Sequence, residues 1–169
     1  MAEAGAAPAG ATPRKHTEVA VGILFRGDGA MLLSTRPPGK PYAGYWEFPG
    51  GKLEAGETVE QALRRELLEE LGVTIGPAEV WKVTEHDYPH ALVRLHWCKV
   101  HAWTGEFEMR EGQSMAWQQW PLEVSPVLPG AYPVLQWLAE ERGLPFDIRA
   151  IASKSSAASD ERNSSADTP

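Results

Sequence analysis

The chain has 169 residues, with 16 lysines and arginines against 23 aspartates and glutamates, which gives a formal net charge of −7. This length fits a single domain, and the negative charge excludes the broad basic surface of a protein that binds duplex nucleic acid. The single cysteine, Cys98, excludes an intrachain disulfide, and no apolar run is long enough to cross a bilayer, so we expect a cytoplasmic protein with no membrane partner.

The two ends of the chain differ in composition from its centre. Residues 1–16 are rich in Ala, Gly and Pro, and residues 150–169 are rich in Ser, Ala and Asp. Such segments bury too little apolar surface to become ordered, so we expect a disordered leader and a disordered tail. We expect residues 17–149 to form the one folded domain, as a monomer or weak dimer.

Two apolar runs predict strands near the start of this domain. One covers residues 19–25 and the other residues 31–35, and the turn residues at 27–29 separate them, so we predict a β-hairpin. Residues 37–44 contain three prolines and two glycines and are predicted to form a loop.

The most regular pattern in the sequence is helical. Residues 58–71 place apolar side chains at i, i+3 and i+4 spacing, Thr58 can cap the first turn, and Gly72 suits the residue after the last turn. Further strands are predicted over residues 79–85, 93–103 and 115–120, and a second helix over residues 133–142. This order predicts an α+β fold, in which helices cover the faces of a mixed sheet.

Three glutamates share one face of the first predicted helix. Glu66, Glu69 and Glu70 lie at i, i+3 and i+4, where like charges repel one another unless a cation neutralises them. Carboxylate oxygens are hard ligands that favour Mg²⁺, or Mn²⁺, over zinc. Three glutamates alone are nevertheless more typical of a solvated acidic face that pairs with neighbouring basic residues.

The sequence around these glutamates is far more specific than their spacing. From Gly51 it reads GKLEAGETVEQALRRELLEELGV, which matches every fixed position of the Nudix box. The preceding WEFPGGK at residues 46–52 and the REGQ at residues 110–113 resemble the MutT-type branch, the nucleoside triphosphate pyrophosphohydrolases. The resemblance to the Nudix family extends over residues 19–138, and it implies an α/β/α sandwich around a mixed sheet.

The resemblance implies a role for each residue that matches the family pattern. The catalytic carboxylates, which also ligate the divalent metal, are implied to be Glu66, Glu69, Glu70 and Glu111, and the carbonyl of Gly50 is a further implied ligand. The implied phosphate-binding residues are Arg36 and Lys52, with Lys40 as a weaker candidate. The structural positions of the box are implied to be Gly51, Glu57, Arg65 and Gly72.

The resemblance also implies a substrate and an apolar pocket for its base. A metal-activated water would hydrolyse a (d)NTP to the (d)NMP and pyrophosphate, in nucleotide-pool sanitation and hence DNA repair, as an 8-oxo-dGTP diphosphatase does. The implied base pocket consists of Val19, Phe48, Tyr88, Leu95 and Ala131. Ala131 stands where the MutT pattern has a base-reading asparagine, and alanine cannot form that hydrogen bond. Asp87, His90 or Gln118 are alternatives for reading the base.

Other functions also remain open. A Nudix hydrolase of CTP or a modified pyrimidine triphosphate, of ADP-ribose or of a dinucleoside polyphosphate would use the same box. A non-catalytic nucleotide-binding Nudix domain is the third possibility. Domains of that kind typically lose box carboxylates, whereas this sequence retains all four box glutamates.

Overall fold

The computed structural model describes residues 15–152, so the predicted leader and tail lie almost entirely outside the described residues. In chain order the elements are β1 (Thr17–Leu24), β2 (Met31–Thr35), β3 (Trp46–Glu47), β4 (Gly50–Lys52), α1 (Val59–Leu71), β5 (Thr74–Ile75), β6 (Glu79–Tyr88), β7 (Ala91–Val100), β8 (Trp103–Thr104), β9 (Met115–Gln118), a 3₁₀ turn (Pro129–Ala131), α2 (Tyr132–Glu141) and α3 (Arg149–Ala152). Among these residues no helix has the length and apolar character needed to cross a membrane.

The central layer is a mixed four-stranded sheet with the strand order β4-β1-β7-β6. Strand β1 runs parallel to β7, with Thr17 opposite Val93 and Leu24 opposite Val100, and both β4 and β6 are antiparallel to their neighbours. A second sheet has the order β3-β2-β9, and β5 pairs with β8. The predicted mixed sheet is therefore confirmed.

Alternate side chains of β1 pack against different helices. Ala20 and Leu24 belong to the apolar cluster that contains Leu63 and Leu67 of α1. Val21 and Ile23 belong to the cluster that contains Val134, Leu135 and Leu138 of α2. Because the side chains of a strand alternate between the two faces of the sheet, the sheet lies between α1 and α2, and the predicted sandwich is confirmed.

Helix α1 has the termini that the sequence predicts. The Thr58 hydroxyl accepts the N–H of Gln61 (3.1 Å), and the Gln61 side chain accepts the N–H of Thr58 (2.9 Å), which forms a capping box. Gly72 has a φ of 73°, a left-handed conformation that suits glycine, and its N–H donates to the Leu68 carbonyl (3.1 Å). The helix is thus fixed at both ends by local interactions.

The predicted hairpin of the first two strands is wrong. The turn exists, because the Arg26 N–H donates to the Ala30 carbonyl (2.9 Å), and a single bridge joins Phe25 to Met31. Beyond that bridge the strands separate, since β1 pairs with β7 and β4 whereas β2 pairs with β9 and β3. Pairing with strands that are distant in the sequence therefore prevails over pairing between the adjacent strands β1 and β2.

The folded part also extends beyond the predicted boundary at Arg149. Helix α3 begins at Arg149 and runs past this boundary, Ile151 is buried in the core, and the Ile151 carbonyl accepts the N–H of Val127 (2.7 Å). One apolar residue in a polar segment gave too weak a pattern for the sequence to reveal this contact.

The packing of α1 leads to a stability prediction. Leu67 is 0% exposed between α1 and the sheet, whereas the adjacent Leu68 is 47% exposed. We expect Leu67→Ala to lower the free energy of unfolding by about 3 kcal/mol, through lost burial and a residual cavity, and Leu68→Ala to lower it by less than about 1 kcal/mol. Urea denaturation of both variants measures the difference, and equal losses would contradict this packing.

Candidate active site

A cavity of about 630 Å³ opens between the mixed sheet, the loop of residues 37–44 and the 3₁₀ turn. The predicted site residues that line it are Val19, Arg36, Phe48, Gly50, Gly51, Lys52, Glu66, Glu70, Tyr88, Leu95, Glu111 and Ala131. These residues come from distant parts of the sequence, so the fold brings the predicted metal, phosphate and base residues into one enclosure.

Two adjacent glycines allow β4 to approach both β1 and α1 closely. Gly50 is opposite Val21 and Gly51 is opposite Ala20 in the β1–β4 ladder. A Cβ atom on Gly50 would lie 2.0 Å from the Ala20 carbonyl oxygen, and a Cβ atom on Gly51 would lie 2.3 Å from the Glu66 carboxyl carbon. The absence of both side chains therefore lets the Glu66 carboxylate rest against the β4 backbone.

Glu66, Glu70 and Glu111 form an acidic cluster on one wall of the cavity. Burial, a hydrogen bond with Glu66 and the charges of Glu66 and Glu111 raise the pKa of Glu70 to about 9. Negative charge in this cluster is thus poorly compensated by the protein itself. Carboxylate oxygens are hard donors, so the chemistry of this set suits a divalent cation such as Mg²⁺, but among residues 15–152 no three acidic, histidine or cysteine side chains converge into a preformed metal site.

Glu69 is the predicted carboxylate that the structure does not bring into the cavity. Its side chain is 61% exposed and lies 3.5 Å from the Arg65 guanidinium. It differs in this respect from Glu66 and Glu70, although all three share one side of α1. Sequence spacing alone does not distinguish these two environments.

Arg65 joins α1 to the segment that precedes it. Its guanidinium donates two hydrogen bonds to Glu57 (2.8 and 2.9 Å), one to Glu66 (2.9 Å) and one to the carbonyl of Lys52 (3.0 Å). The hydrogen bonds from Arg65 lower the pKa of Glu57 to about 2. Arg65 therefore orients the Glu66 carboxylate and lies behind the cavity wall, as does Glu57.

Arg36, Lys40 and Lys52 provide positive charge at the cavity. Arg36 follows β2, donates to the Glu47 carboxylate (2.9 Å) and to the Pro41 carbonyl (2.6 Å), and is held in place by both contacts. Lys52 ends β4, close to Thr17 and Val19 in the cavity lining. Cations and carboxylates thus line the same space.

The other end of the cavity is apolar and aromatic. Phe48 packs edge-on against Trp97, and Leu95 and Ala131 lie nearby in the same core cluster. The Tyr88 hydroxyl accepts the N–H of Gly130 (2.7 Å), and burial raises the pKa of Tyr88 to about 12. Aromatic and apolar side chains of this kind can contact a planar ring by stacking and apolar contact.

The alternatives for reading the base differ in position. His90 lines the cavity, whereas Asp87 and Gln118 do not. The Gln118 side-chain oxygen accepts the N–H groups of Glu123 (2.8 Å) and Val124 (3.3 Å), so Gln118 stabilises the segment after β9.

Glu47 and Gln113 are cavity residues that the sequence analysis missed. The Gln113 side-chain oxygen accepts the N–H of Glu111 (2.9 Å) and thereby fixes the turn that carries this carboxylate. Burial raises the pKa of Glu47, although Arg36 opposes the shift. The sequence feature that could have identified Glu47 as a cavity residue is its position as a charged residue between the apolar residues Trp46 and Phe48.

Comparisons with known proteins show what this chain is similar to. A sequence profile described as the NUDIX domain matches residues 15–138. The chain is 37% identical over 129 residues to the 8-oxo-dGTP diphosphatase of Haemophilus influenzae, which covers 76% of this chain and 95% of that protein. It is 36% identical over 124 residues to the CTP pyrophosphohydrolase of Escherichia coli, which covers 72% of this chain and 90% of that protein. The solved structure of the MutT NUDIX hydrolase from Burkholderia pseudomallei superimposes with a TM-score of 0.67 at 26% identity, covering 73% of this chain and 98% of that one.

Proposed function

Because the chain belongs to the NUDIX family and is a hydrolase of that family, we propose that it is a Mg²⁺-dependent nucleoside triphosphate pyrophosphohydrolase. It converts a (d)NTP to the (d)NMP and pyrophosphate and removes oxidised or otherwise non-standard nucleotides from the pool, with 8-oxo-dGTP as the first candidate. We place this activity in the cytoplasm, a reducing setting in keeping with a single, buried and unpaired cysteine.

The observation that carries the proposal is one cavity lined by three chemically distinct sets of residues. These are the carboxylates of Glu66, Glu70 and Glu111, the cations of Arg36 and Lys52, and a set of apolar and aromatic side chains. A nucleoside triphosphate has matching parts, because its phosphates bind metal and cations and its base binds apolar surfaces. The distribution of charge thus orients the substrate with its phosphates toward α1.

In the proposed mechanism Glu66, Glu70, Glu111 and the Gly50 carbonyl would hold Mg²⁺, and Glu69 would be a further ligand if its side chain turned from Arg65 toward the cavity. When bound, the cation neutralises phosphate charge and lowers the pKa of a water. One of the carboxylates accepts the proton of the attacking water. Arg36 and Lys52 bind the phosphate oxygens, where charge accumulates during in-line attack. Arg65 maintains the orientation of Glu66 throughout.

A substrate panel tests the proposal. Purified protein is assayed with Mg²⁺ against 8-oxo-dGTP, dGTP, CTP, 5-methyl-dCTP, ADP-ribose and a diadenosine polyphosphate, with separate detection of pyrophosphate and monophosphate. We expect pyrophosphate release from a nucleoside triphosphate, with 8-oxo-dGTP favoured over dGTP in kcat/KM. Hydrolysis of ADP-ribose alone, or binding of nucleotides without hydrolysis, would refute the proposal.

A pyrimidine triphosphate is the second candidate substrate. Ala131 lies buried at the apolar end of the cavity and offers no side-chain hydrogen bond to an oxidised purine. The Escherichia coli CTP pyrophosphohydrolase is almost as similar to this chain as the diphosphatase is. If CTP or 5-methyl-dCTP has the highest kcat/KM in the panel, this candidate replaces 8-oxo-dGTP and the hydrolytic chemistry is unchanged.

A substitution at Ala131 separates the two candidates further. We expect Ala131→Asn to raise the ratio of kcat/KM for 8-oxo-dGTP over CTP by about tenfold or more, because the new amide can hydrogen-bond a purine edge in a desolvated pocket. The measurement is a competition assay with both triphosphates. Ala131→Val, which adds bulk without a donor, is the control and is expected to slow both substrates alike.

A further inference from the structure

The loop of residues 37–44 forms one wall of the cavity. It is closed at its base by the Arg36 backbone, whose N–H donates to the Tyr45 carbonyl (2.8 Å) and whose carbonyl accepts the N–H of Gly44 (2.9 Å). Three of the loop residues line the cavity: Pro37, Lys40 and Pro41. The position of this loop therefore determines the shape of the cavity next to Arg36.

Tyr42, near the tip of this loop, has a φ of 60°. Bulky side chains rarely adopt this left-handed conformation, so surrounding contacts must hold it. The Tyr42 ring packs against Tyr88 (5.5 Å between centroids) and against His90 (6.0 Å), both of which line the cavity. The loop is thus held in a disfavoured conformation against the apolar end of the site.

The Arg36 side chain connects the same loop to the sheet. Its Nε donates to the Pro41 carbonyl (2.6 Å) and its Nη1 donates to Glu47 Oε2 (2.9 Å). The Arg36 side chain is only 18% exposed and that of Glu47 only 25% exposed, so solvent screens their ion pair weakly. Within residues 15–152, Nη2 of Arg36 donates no hydrogen bond.

We propose that Glu47 is a positioning residue for substrate binding. It fixes the Arg36 guanidinium so that Nε keeps the 37–44 loop closed while Nη2 stays available to a substrate phosphate. The β2–β3 ladder, with Glu47 opposite Ser34, sets the carboxylate at the required place. Glu47 therefore couples the closed loop to phosphate recognition without contacting the reacting atoms itself.

The kinetic test rests on the proposed triphosphatase activity and uses Glu47→Gln and Glu47→Ala. We expect KM for the best triphosphate to rise about tenfold in Glu47→Gln, more in Glu47→Ala, and kcat to change less than threefold in Glu47→Gln. Glutamine keeps the shape and one acceptor but loses the charge that strengthens the bond to Arg36. A fall in kcat with an unchanged KM would overturn the positioning role.

The second test needs no substrate and therefore separates the failure of this inference from failure of the proposed function. In Glu47→Gln, hydrogen exchange at the amides of Gly44 and Tyr45 is expected to accelerate about tenfold, because the loop opens more often. The matched control is Glu141→Gln, which removes a carboxylate that binds Lys99 (2.7 Å) outside the cavity. Exchange rates in Glu47→Gln equal to those in the control would refute the coupling, even if hydrolysis proceeds as proposed.

Discussion

Glu70→Gln is expected to lower kcat/KM for the triphosphate by at least about 10³-fold, or about 4 kcal/mol in transition-state stabilisation. Glutamine preserves the volume of the side chain but removes one negative charge from the cluster with Glu66 and Glu111. The affinity for Mg²⁺ falls together with activity, so a Mg²⁺ titration of the hydrolysis rate should shift to higher concentration. Steady-state kinetics over a wide range of Mg²⁺ concentration measure both effects.

The same substitution is expected to stabilise the protein when no metal is added. The pKa of Glu70 is raised to about 9, above the usual carboxyl value, by burial and by the neighbouring Glu66 and Glu111. Between about pH 5 and pH 9 the folded protein then binds more protons than the unfolded chain, so this group makes stability fall as pH rises through that window. In EDTA, the Tm of Glu70→Gln should therefore exceed that of the wild type at pH 8, and the difference should shrink toward pH 5.

Glu69→Gln provides the contrast. Glu69 is solvent-exposed next to Arg65, so its replacement should leave the Tm in EDTA almost unchanged. As a proposed metal ligand, it should nevertheless cost activity. If Glu70→Gln is less stable than the wild type in EDTA at pH 8, the negative charge of the cluster of Glu66, Glu70 and Glu111 does not destabilise the folded protein. If Glu70→Gln retains more than a tenth of the activity, Glu70 does not hold the metal.

Gly50→Ala is expected to lower the free energy of unfolding by about 3 kcal/mol and to reduce activity by about 10²-fold. An added Cβ would lie 2.0 Å from the Ala20 carbonyl oxygen and 2.9 Å from the Val21 Cα atom, both of them backbone atoms in the adjacent strand. Strand β4 must then move away from β1, which weakens the ladder and also shifts Gly51, whose backbone lies against the Glu66 carboxylate. Urea denaturation and the triphosphatase assay measure the two losses.

Gly27→Ala is the matched control. Gly27 has no atom within 4 Å of an added Cβ and lies in the exposed turn after β1. This substitution should change the unfolding free energy by no more than about 0.5 kcal/mol. Equal losses at Gly27 and Gly50 would show that glycine flexibility, and not the close approach of two strands, explains the effect at Gly50.

The features that the sequence predicted well are those with local causes. Helix α1 follows from apolar spacing, the Thr58 cap and Gly72, all of which act within one or two turns. The Nudix box is also local, because its fixed positions lie within 23 consecutive residues. Family and fold class could therefore be inferred without knowledge of any long-range contact.

The features that the sequence did not predict depend on distant partners. A turn between two apolar runs favours a hairpin, yet β1 has eight parallel partners on β7 and three antiparallel partners on β4, so it leaves β2. The proposed role of Glu47 depends on Arg36, which lies eleven residues away and becomes its neighbour through the β2–β3 ladder. Likewise, Ile151 is buried because α3 returns to the segment at Val127.

The sequence by itself determined which residues are candidates for the chemistry, because they occupy the fixed positions of the Nudix box. The helical spacing of three glutamates alone would also fit a solvated acidic face. Only the tertiary structure decided how they meet: Glu66 and Glu70 face the cavity with Glu111, Glu69 lies against Arg65, and Arg36 is held between Glu47 and the loop. Side-chain direction and strand partners depend on the packing of the whole domain, since each contact competes with others of similar free energy. The spacing of residues along the sequence does not show which of these competing contacts has the lowest free energy.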